Sequence, residues 1–266
     1  MAFNSLIEWT ESTWNPITGC TKISDGCLNC YAERMAKRLA GRYGYPKENP
    51  FTLTLHPDRL SHPLNWKGNH NIFVCSMSDI FHSNVPDSYL FDILNIVNKC
   101  PQHTFQILTK RAKRMAKISK DIGLWPHNVW IGVTVESKNY KKRIDCLRSV
   151  NASVRFISFE PLLGNIGQIN LDGINWVIVG GESGPGARPM LPEWATNIRD
   201  QCLKVNIAYF FKQWGGFNKK TAGRSLEGRE WNQLPVLSNK NQIQSTRICI
   251  HKKQIPIDTD LPPHLF

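Results

Sequence analysis

Three cysteines near the N-terminus have a spacing that could bind a metal. Cys20, Cys27 and Cys30 form a C-x6-C-x2-C pattern, and from Tyr31 onwards apolar side chains recur at helical spacing up to Gly41, a typical helix stop. A helix that begins at the last cysteine directs free N–H groups and the positive end of its dipole at the thiols. That environment favours the thiolate, which is the form that binds metals. The pattern therefore predicts a metal-binding loop where a strand meets a helix.

The spacing alone leaves three interpretations of these cysteines open. A structural zinc ion normally has four protein ligands, and only Cys75 or a distant histidine could supply the fourth. Burial as small core residues is disfavoured because the loop is polar and contains glycine. An iron–sulfur cluster held by three thiolates leaves one iron without a protein ligand, where a cofactor can bind, and the sequence favours this interpretation. The other cysteines stand singly among apolar neighbours, which is typical of core positions: Cys75, Cys100, Cys146, Cys202 and Cys249.

Short apolar runs alternate with amphipathic segments along the chain. The runs are nearly continuous, as in strands covered on both faces, and span residues 71–76, 104–109, 129–135, 154–159, 175–181 and 207–212. Helical spacing is found over residues 87–100, 110–122, 136–150 and 191–205. With a short strand near residues 14–18, the pattern predicts an α/β fold, a partial TIM-type barrel of about six to seven parallel strands. A doubly wound open sheet is the alternative.

Two segments interrupt this alternation. Residues 41–70 are rich in proline, glycine and histidine, and we expect a long loop or lid there, within a barrel domain of residues 1–214. Residues 215–266 lose the alternation and are expected to form an irregular, basic C-terminal extension packed on the barrel.

The chain is basic. Its 266 residues include 33 Lys and Arg against 21 Asp and Glu, for a formal net charge of +12. This favours an anionic partner, nucleic acid first, although an enzyme that is merely basic has the same composition. No apolar run approaches the ~20 residues of a membrane helix, and the N-terminus lacks the features of a signal peptide. A cytoplasmic, reducing location is expected, in which cysteines are thiols or metal ligands rather than disulfides.

Several segments together resemble a known family. The N-terminal EWTESTWNPITGCTKISDGCLNCYAERMAKRL, the central LTKR and GGESGPGARPM, and the later FFKQWGG and LEGREW are similar to phage- and bacterium-encoded proteins of undetermined function. That family is grouped with the radical S-adenosylmethionine (SAM) enzymes and is related to spore photoproduct lyase. The resemblance implies a [4Fe–4S] cluster on Cys20, Cys27 and Cys30, with SAM bound to the open iron. It also implies a 5′-deoxyadenosyl radical that abstracts a hydrogen atom from the substrate.

The chain departs from the usual radical SAM pattern at three places. The usual spacing is C-x3-C-x2-C, so the first loop is longer here. The residue before the last cysteine is usually an aromatic that packs on adenine, whereas this chain has Asn29 there and Tyr31 as the candidate substitute. The Gly-Gly-Glu stretch typical of the second strand is replaced by another sequence, and the one at residues 180–182 comes about four strands later.

Polar residues at the predicted strand ends are candidate SAM ligands. Ser76 and Ser78 are two residues apart at the end of the second strand, which places them on one face. By the resemblance, Lys110 after the third strand would pair with the SAM carboxylate. Thr134 or Glu136 after the fourth strand could hold the amino group or the ribose. Each hydroxyl could instead cap a helix, and Lys110 could be a solvated lysine.

Further polar residues follow the strands and would converge on the mouth of a barrel. The substrate-side catalytic candidates are Asp79, Arg111, Glu160 and Glu182. The candidates for binding nucleic acid are Arg188, Lys212, Lys219, Lys220 and Arg224, with aromatic residues between them that could stack on bases. The basic residues of segments 110–122 and 136–150 are interpreted as solvated helix faces, so the C-terminal loop is the better nucleic-acid candidate.

The sequence thus predicts a radical SAM-like enzyme that acts on a nucleic acid or a nucleotide. It would depend on a [4Fe–4S] cluster, on SAM and on an external electron donor of the flavodoxin or ferredoxin type. One alternative is a non-catalytic nucleic-acid-binding protein with a structural zinc site, working in a phage or defence system. Another is a hydrolase that uses paired carboxylates such as Glu160 and Glu182 on a barrel.

Overall fold

The computed structural model describes residues 2–3 and 5–236. The strands are β1 (Ala2–Phe3), β2 (Ser12–Trp14), β3 (Ile17–Thr18), β4 (Thr54–Leu55), β5 (Asn71–Val74), β6 (Thr104–Thr109), β7 (Val129–Thr134), β8 (Val154–Phe159), β9 (Trp176–Gly180), β10 (Ala208–Gln213), β11 (Ser225–Leu226) and β12 (Arg229–Glu230). The helices are α1 (Tyr31–Arg38), α2 (Asp87–Asn98), α3 (Ala112–Ile122), α4 (Lys142–Arg148), α5 (Pro192–Lys204) and α6 (Lys219–Ala222).

One curved sheet organises the fold. Its strand order is β1-β2-β5-β6-β7-β8-β9-β10, with β1 antiparallel at one edge and the other seven strands parallel. The parallel strands follow one another in chain order and curl into a half-barrel. Because a doubly wound sheet reverses its strand order part-way, the prediction of a partial TIM-type barrel is confirmed and the doubly wound alternative is wrong.

The alternation of side chains along the strands divides the core into two parts. On the outer face, residues such as Ile107 and Val133 pack against the helices in the larger apolar cluster. On the inner face, aromatic residues such as Trp130 and Phe156 form a second cluster. Since side chains two residues apart share a face, the inner rows continue towards the carboxyl ends of the strands. The fold therefore places the residues that follow each inner row at the rim of the half-barrel.

Three predicted elements differ from the structure. The strand predicted near residues 14–18 is two strands, β2 in the large sheet and β3 paired with β4. β5 ends at Val74 rather than at residue 76, because Cys75 adopts a left-handed backbone conformation, with φ of 58°, and starts a turn. The helix predicted over residues 136–150 is limited to α4, since Glu136 is fully buried and the chain first makes a 3₁₀ turn at Lys138–Tyr140. The predicted strands that correspond to β6–β10 agree with the structure to within one residue at each end.

The two segments that interrupt the alternation contain short elements. In residues 41–70, β4 pairs antiparallel with β3, and 3₁₀ turns lie at Pro57–Arg59 and His62–Asn65. After β10, the β11–β12 hairpin packs on the barrel through Leu226 and Trp231. The domain boundary at residue 214 stays a prediction, and residues 237–266 lie outside the described residues. No helix in the described part of the chain is long and apolar enough to cross a membrane.

Candidate active site

A cavity of about 380 Å³ opens at the carboxyl ends of the parallel strands. Its lining combines the three cysteines of the N-terminal loop with polar residues that follow the strands. Trp9, Phe73 and Leu108, which belong to the inner apolar cluster, contribute an apolar part of the lining. An apolar cavity of this size with a few convergent polar groups is typical of a small-molecule site.

The three cysteines reach the cavity from different parts of one loop. Cys20 follows β3, Cys27 ends a 3₁₀ turn at Asp25–Cys27, and Cys30 is the N-cap of α1. The predicted helix start at the third cysteine is therefore confirmed. A fourth thiol, that of the buried Cys75 beyond β5, also lines the cavity. The site thus brings four thiols to one cavity, although only three belong to the loop.

Arg111 joins the first cysteine to the end of β6. Its Nη1 donates to Cys20 Sγ at 3.4 Å and to Asp79 Oδ2 at 3.3 Å, and its Nη2 donates to Thr21 Oγ1 at 2.8 Å. Burial raises the pKa of the Cys20 thiol to about 11, and the Arg111 guanidinium opposes that rise. Asp79 also accepts a hydrogen bond from the Lys110 amide at 3.1 Å, so the arginine is itself held in place. This network keeps a positive charge beside a cysteine sulfur.

Glu136 anchors the middle of the cysteine loop to the end of β7. Its Oε1 accepts a hydrogen bond from Ser24 Oγ and lies 3.6 Å from Lys110 Nζ, and its Oε2 accepts from Arg143 Nη1 at 2.7 Å. Gly26 lies against this carboxylate, because a Cβ at residue 26 would approach Glu136 Oε1 to 2.7 Å. The six residues between the first two cysteines are therefore fitted to the barrel, which gives the long spacing a structural role.

Glu182 ties the residue before the third cysteine to the end of β9. Its carboxylate accepts hydrogen bonds from Arg188 Nη2 at 2.5 Å, from Arg188 Nε at 2.8 Å and from Asn29 Nδ2 at 3.0 Å. Burial alone would raise the pKa of Glu182, but the hydrogen bonds from Arg188 and Asn29 outweigh burial and lower the pKa to about 2. Glu182 is therefore ionised at neutral pH. Asn29 therefore serves as a tether between the cysteine loop and the end of β9.

Glu160, which follows β8, forms an ion pair with Lys212 of β10. Both residues line the cavity. Two further lining residues have buried side-chain oxygens that lack a hydrogen-bond partner among the described residues, namely Ser158 Oγ and Gln213 Oε1. An unpaired buried polar atom is costly for a folded protein. These two oxygens therefore mark positions where a bound polar group would complete the site.

Ser76 and Ser78 reach the cavity from a turn rather than from a strand face. The reason is the early end of β5, which makes the strand-face argument for these serines wrong. Ser78 Oγ donates to the Gly19 carbonyl at 2.5 Å, next to the first cysteine. The Tyr31 hydroxyl donates to the Ser76 carbonyl, and the half-exposed Tyr31 ring lines the cavity.

The structure gathers most of the predicted site residues around this one cavity. They are Cys20, Cys27, Cys30, Tyr31, Ser76, Ser78, Asp79, Lys110, Arg111, Thr134, Glu160, Glu182 and Lys212. Their individual roles stay predictions.

Five predicted site residues lie elsewhere. Glu136 is fully buried behind the loop, Arg188 is paired with Glu182, and Arg224 Nε donates to the Lys212 carbonyl at 2.9 Å. Lys219 and Lys220 begin α6, and their side chains lie outside the described part of the structure. For Arg188 and Arg224, part of the hydrogen-bonding capacity of the guanidinium group is used within the protein.

Sequence reasoning gave no role to Ser158. This residue lies inside an apolar run, so composition does not single it out. Its register does, because Ser158 follows the inner-face residue Phe156 by two positions and therefore also lies on the inner face of β8.

Within residues 2–3 and 5–236, no group of three or more His, Cys, Asp and Glu side chains is arranged to hold a single metal ion. A tetrahedral zinc site requires four ligands that converge on one ion. A four-iron cluster is larger, and each of its thiolates binds a different iron.

A family of proteins of unknown function, DUF5131, matches residues 4–235 of the chain. The chain belongs to the DUF5131 family. The match covers the half-barrel, the cysteine loop and the β11–β12 hairpin, so the described site lies wholly inside the region that defines this DUF5131 protein.

One solved structure was found to be remotely similar to the DUF5131 chain, a spore photoproduct lyase complexed with dinucleoside spore photoproduct. The two share 10% sequence identity with a TM-score of 0.40, over 71% of this chain. The DUF5131 chain spans 59% of the length of that lyase chain. No curated protein matches the sequence.

Proposed function

We propose that this protein is a radical SAM-type iron–sulfur enzyme that acts on a nucleic acid or a nucleotide. The observation that carries the proposal is that the three spaced cysteines line the same cavity as Lys110 and the polar ends of the inner strand faces. In parallel α/β folds, active sites lie at this end of the strands. A candidate cluster loop and a candidate cofactor pocket therefore meet where chemistry is expected.

Cys20, Cys27 and Cys30 would hold the [4Fe–4S] cluster, and their surroundings fit it. All three thiols line one cavity, Arg111 brings a positive charge to the first, and the N-terminus of α1 lies at the third. When bound, a cluster with an open iron supplies the electron that cleaves SAM to a 5′-deoxyadenosyl radical. A separate donor of the flavodoxin or ferredoxin type, in a reducing cytosol, would deliver that electron.

The polar strand ends would position SAM beside the cysteines. Lys110 Nζ is a compact cation suited to the SAM carboxylate, and Glu136 holds it from behind at 3.6 Å. Thr134, Ser158 and Gln213 offer polar side chains to the amino group or the ribose from neighbouring parts of the lining. Trp9 and Phe73 of the inner apolar cluster line the same cavity and offer an apolar surface to the bound molecule.

The ion-paired residues of the cavity would bind and orient the substrate. Glu160 is paired with Lys212, and Asp79 with Arg111, so each pair presents both a donor and an acceptor at the cavity. Hydrogen-atom abstraction needs no acid or base of matched pKa. Fixed, paired charges suit such a reaction because they hold a substrate in one orientation.

The hydrolase alternative has weaker support. It requires one carboxylic acid that donates a proton. Glu182 has a pKa lowered to about 2 by its hydrogen bonds, against the effect of burial, and Glu160 is ion-paired with Lys212. Neither residue is arranged as a proton donor.

The test is the formation of 5′-deoxyadenosine. We expect protein reconstituted anaerobically with iron and sulfide to release 5′-deoxyadenosine from SAM when dithionite is added, as measured by chromatography. Cys27→Ala should abolish this release, whereas Cys202→Ala, which removes a buried thiol of α5 that does not line the cavity, should retain it. Wild-type protein with a full cluster that releases no 5′-deoxyadenosine, with or without added oligonucleotides, would contradict the proposal.

A further inference from the structure

A second cavity, of about 410 Å³, lies between the first turn of α3 and α4. Six of its ten lining residues are positively charged, and among the described residues no carboxylate lines it. The cations are Lys110, Arg111, Lys113, Arg114, Lys142 and Arg143. We call this cavity the α3–α4 cleft.

The positive charge of the α3–α4 cleft is only partly compensated. Arg111 is paired with Asp79, Arg114 with Asp87, and both Lys110 and Arg143 with Glu136. Three carboxylates therefore balance four of the cations, all from outside the lining.

The two remaining cations are the exposed lysines of the cleft. Lys113 and Lys142 have no ion pair among the described residues. The cleft thus has six cations and three carboxylates that pair with them, which leaves an excess of three positive charges. An excess of this kind, in a concave site, attracts an anion.

The backbone of the α3–α4 cleft favours an anion as well. Ala112, Lys113 and Arg114 form the first turn of the eleven-residue helix α3 and line the cleft. The first N–H groups of a helix have no acceptor within the helix, and the helix dipole adds positive potential there. Lysine and arginine side chains around such a turn are a typical phosphate site.

The size of the cleft suits a small anionic group. Its volume lies in the range of small-ligand sites, whereas a stable protein interface needs a broad surface of ~800 Å² on each partner. A phosphate group on a flexible strand can enter such a concavity.

Lys110 and Arg111 line both the α3–α4 cleft and the cavity with the cysteines. A ligand that occupies both sites therefore passes over these two side chains. The cleft lies close to the candidate cluster, since Arg111 Nη1 is 3.4 Å from Cys20 Sγ.

We propose that the α3–α4 cleft binds the backbone phosphates of a single-stranded nucleic acid whose reacting nucleoside lies in the cavity with the cysteines. The substrate class named in this proposal, a nucleic acid, rests on the function proposed above. It assigns the phosphate contacts to the helix faces that the sequence suggests are merely solvated. The C-terminal loop, which the sequence favours for this contact, is not required.

The experiment measures the binding of a fluorescein-labelled single-stranded oligonucleotide of about twelve nucleotides by anisotropy over a range of salt concentrations. It uses the full chain as purified, without SAM or reductant, so that its outcome does not depend on the cluster. Lys113→Glu with Lys142→Glu reverses the two unpaired charges of the cleft. Lys120→Glu with Lys204→Glu, both exposed and outside the cleft, changes the net charge equally. Equal thermal midpoints would establish that the variants are folded.

We expect Lys113→Glu/Lys142→Glu to weaken binding at least tenfold at fixed salt. The slope of log K against log salt should fall by about 1.4, because each phosphate contact on a single strand contributes about 0.7. The Lys120→Glu/Lys204→Glu control should stay within about threefold of the wild type.

Several results would overturn the proposal. One is an unchanged oligonucleotide affinity in the Lys113→Glu/Lys142→Glu variant. Another is a loss of affinity that is equally large in the Lys120→Glu/Lys204→Glu control. A third is a loss of affinity that occurs only in Lys219→Glu/Lys220→Glu. If a mononucleotide displaces the labelled oligonucleotide as effectively as an unlabelled strand does, the cleft binds free nucleotides rather than a strand. Unchanged oligonucleotide binding, combined with lost reduction by an acidic flavodoxin, would make the cleft a protein-docking site instead. In each case the release of 5′-deoxyadenosine from SAM would still test the enzymatic proposal separately.

Discussion

At the scale of single residues, Glu182 shows how one carboxylate can serve as an anchor. It is almost fully buried, yet it accepts hydrogen bonds from Arg188 and from Asn29, two residues on different segments of the chain. The charge-assisted hydrogen bonds compensate for the loss of water around the carboxylate. Glu182 therefore acts on the third cysteine indirectly, as a positioning residue for the loop.

We expect Glu182→Gln to lower the free energy of unfolding by about 2–3 kcal/mol at neutral pH, because it removes a charge that Arg188 stabilises. The pKa of Glu182 falls from 4.5 to about 2 on folding, so its stabilisation is complete above pH 4.5 and is lost as the pH falls towards 2. Urea unfolding at several pH values measures this effect. The difference between wild type and variant should shrink steadily in that range.

The matched control for this prediction is Glu48→Gln, which changes an exposed carboxylate in residues 41–70. It should leave the free energy of unfolding within about 0.5 kcal/mol of the wild type. A destabilisation by Glu182→Gln that stays constant down to about pH 2 would show that the charge of Glu182 is not what stabilises the fold.

At the scale of elements, the ends of β9 and β10 are held together by a close backbone contact. A Cβ on Gly181 would lie 1.9 Å from the Trp214 carbonyl oxygen, and the Gly181 amide donates to the Gln213 carbonyl at 3.0 Å. The glycines of this segment allow two stretches of the chain to meet. The contact positions Glu182 and Gln213 at the cavity.

We expect Gly181→Ala to destabilise the protein by about 1–3 kcal/mol, since the added methyl group forces the two strand ends apart. Thermal unfolding measures the change. Gly164→Ala is the control, because a Cβ on Gly164 meets no atom within 4 Å and should leave the midpoint almost unchanged. If both variants unfold at the wild-type temperature, the contact between Gly181 and Trp214 is not close in solution.

The sequence predicted the strands well because each one is a short apolar run bounded by polar residues. β6 and β8 have the predicted bounds, and the strand ends correctly indicated which polar residues lie at the rim. Prediction failed where a distant contact decides the local conformation. The Glu136 side chain is buried and accepts hydrogen bonds from Ser24 and Arg143, so the predicted helix does not begin there.

The tethers of the cysteine loop could not be predicted from local spacing. Asn29 and Glu182 are 153 positions apart, and Ser24 and Glu136 are 112 apart. Only the folded half-barrel brings these partners together. The three cysteines themselves could be found in the sequence because their spacing is local.

At the scale of the whole molecule, the half-barrel places one loop, six strand ends and two cavities at a single rim. The thiols, the candidate cofactor ligands and the cationic cleft are carried by different elements that a parallel sheet aligns at its carboxyl edge. The loop with three thiols is the part on which the account depends, and Cys75 is a fourth thiol at the same cavity.

The iron and sulfide content of the anaerobically reconstituted protein tests the central claim most directly. We predict about four irons and four sulfides per chain, with a broad absorption near 400 nm, in the wild type and in Cys75→Ala. Cys20→Ala, Cys27→Ala and Cys30→Ala should each lose most of that iron and absorption. A colourless wild-type protein without iron, or a cluster lost equally in Cys75→Ala, would contradict a site held by three cysteines with one iron open.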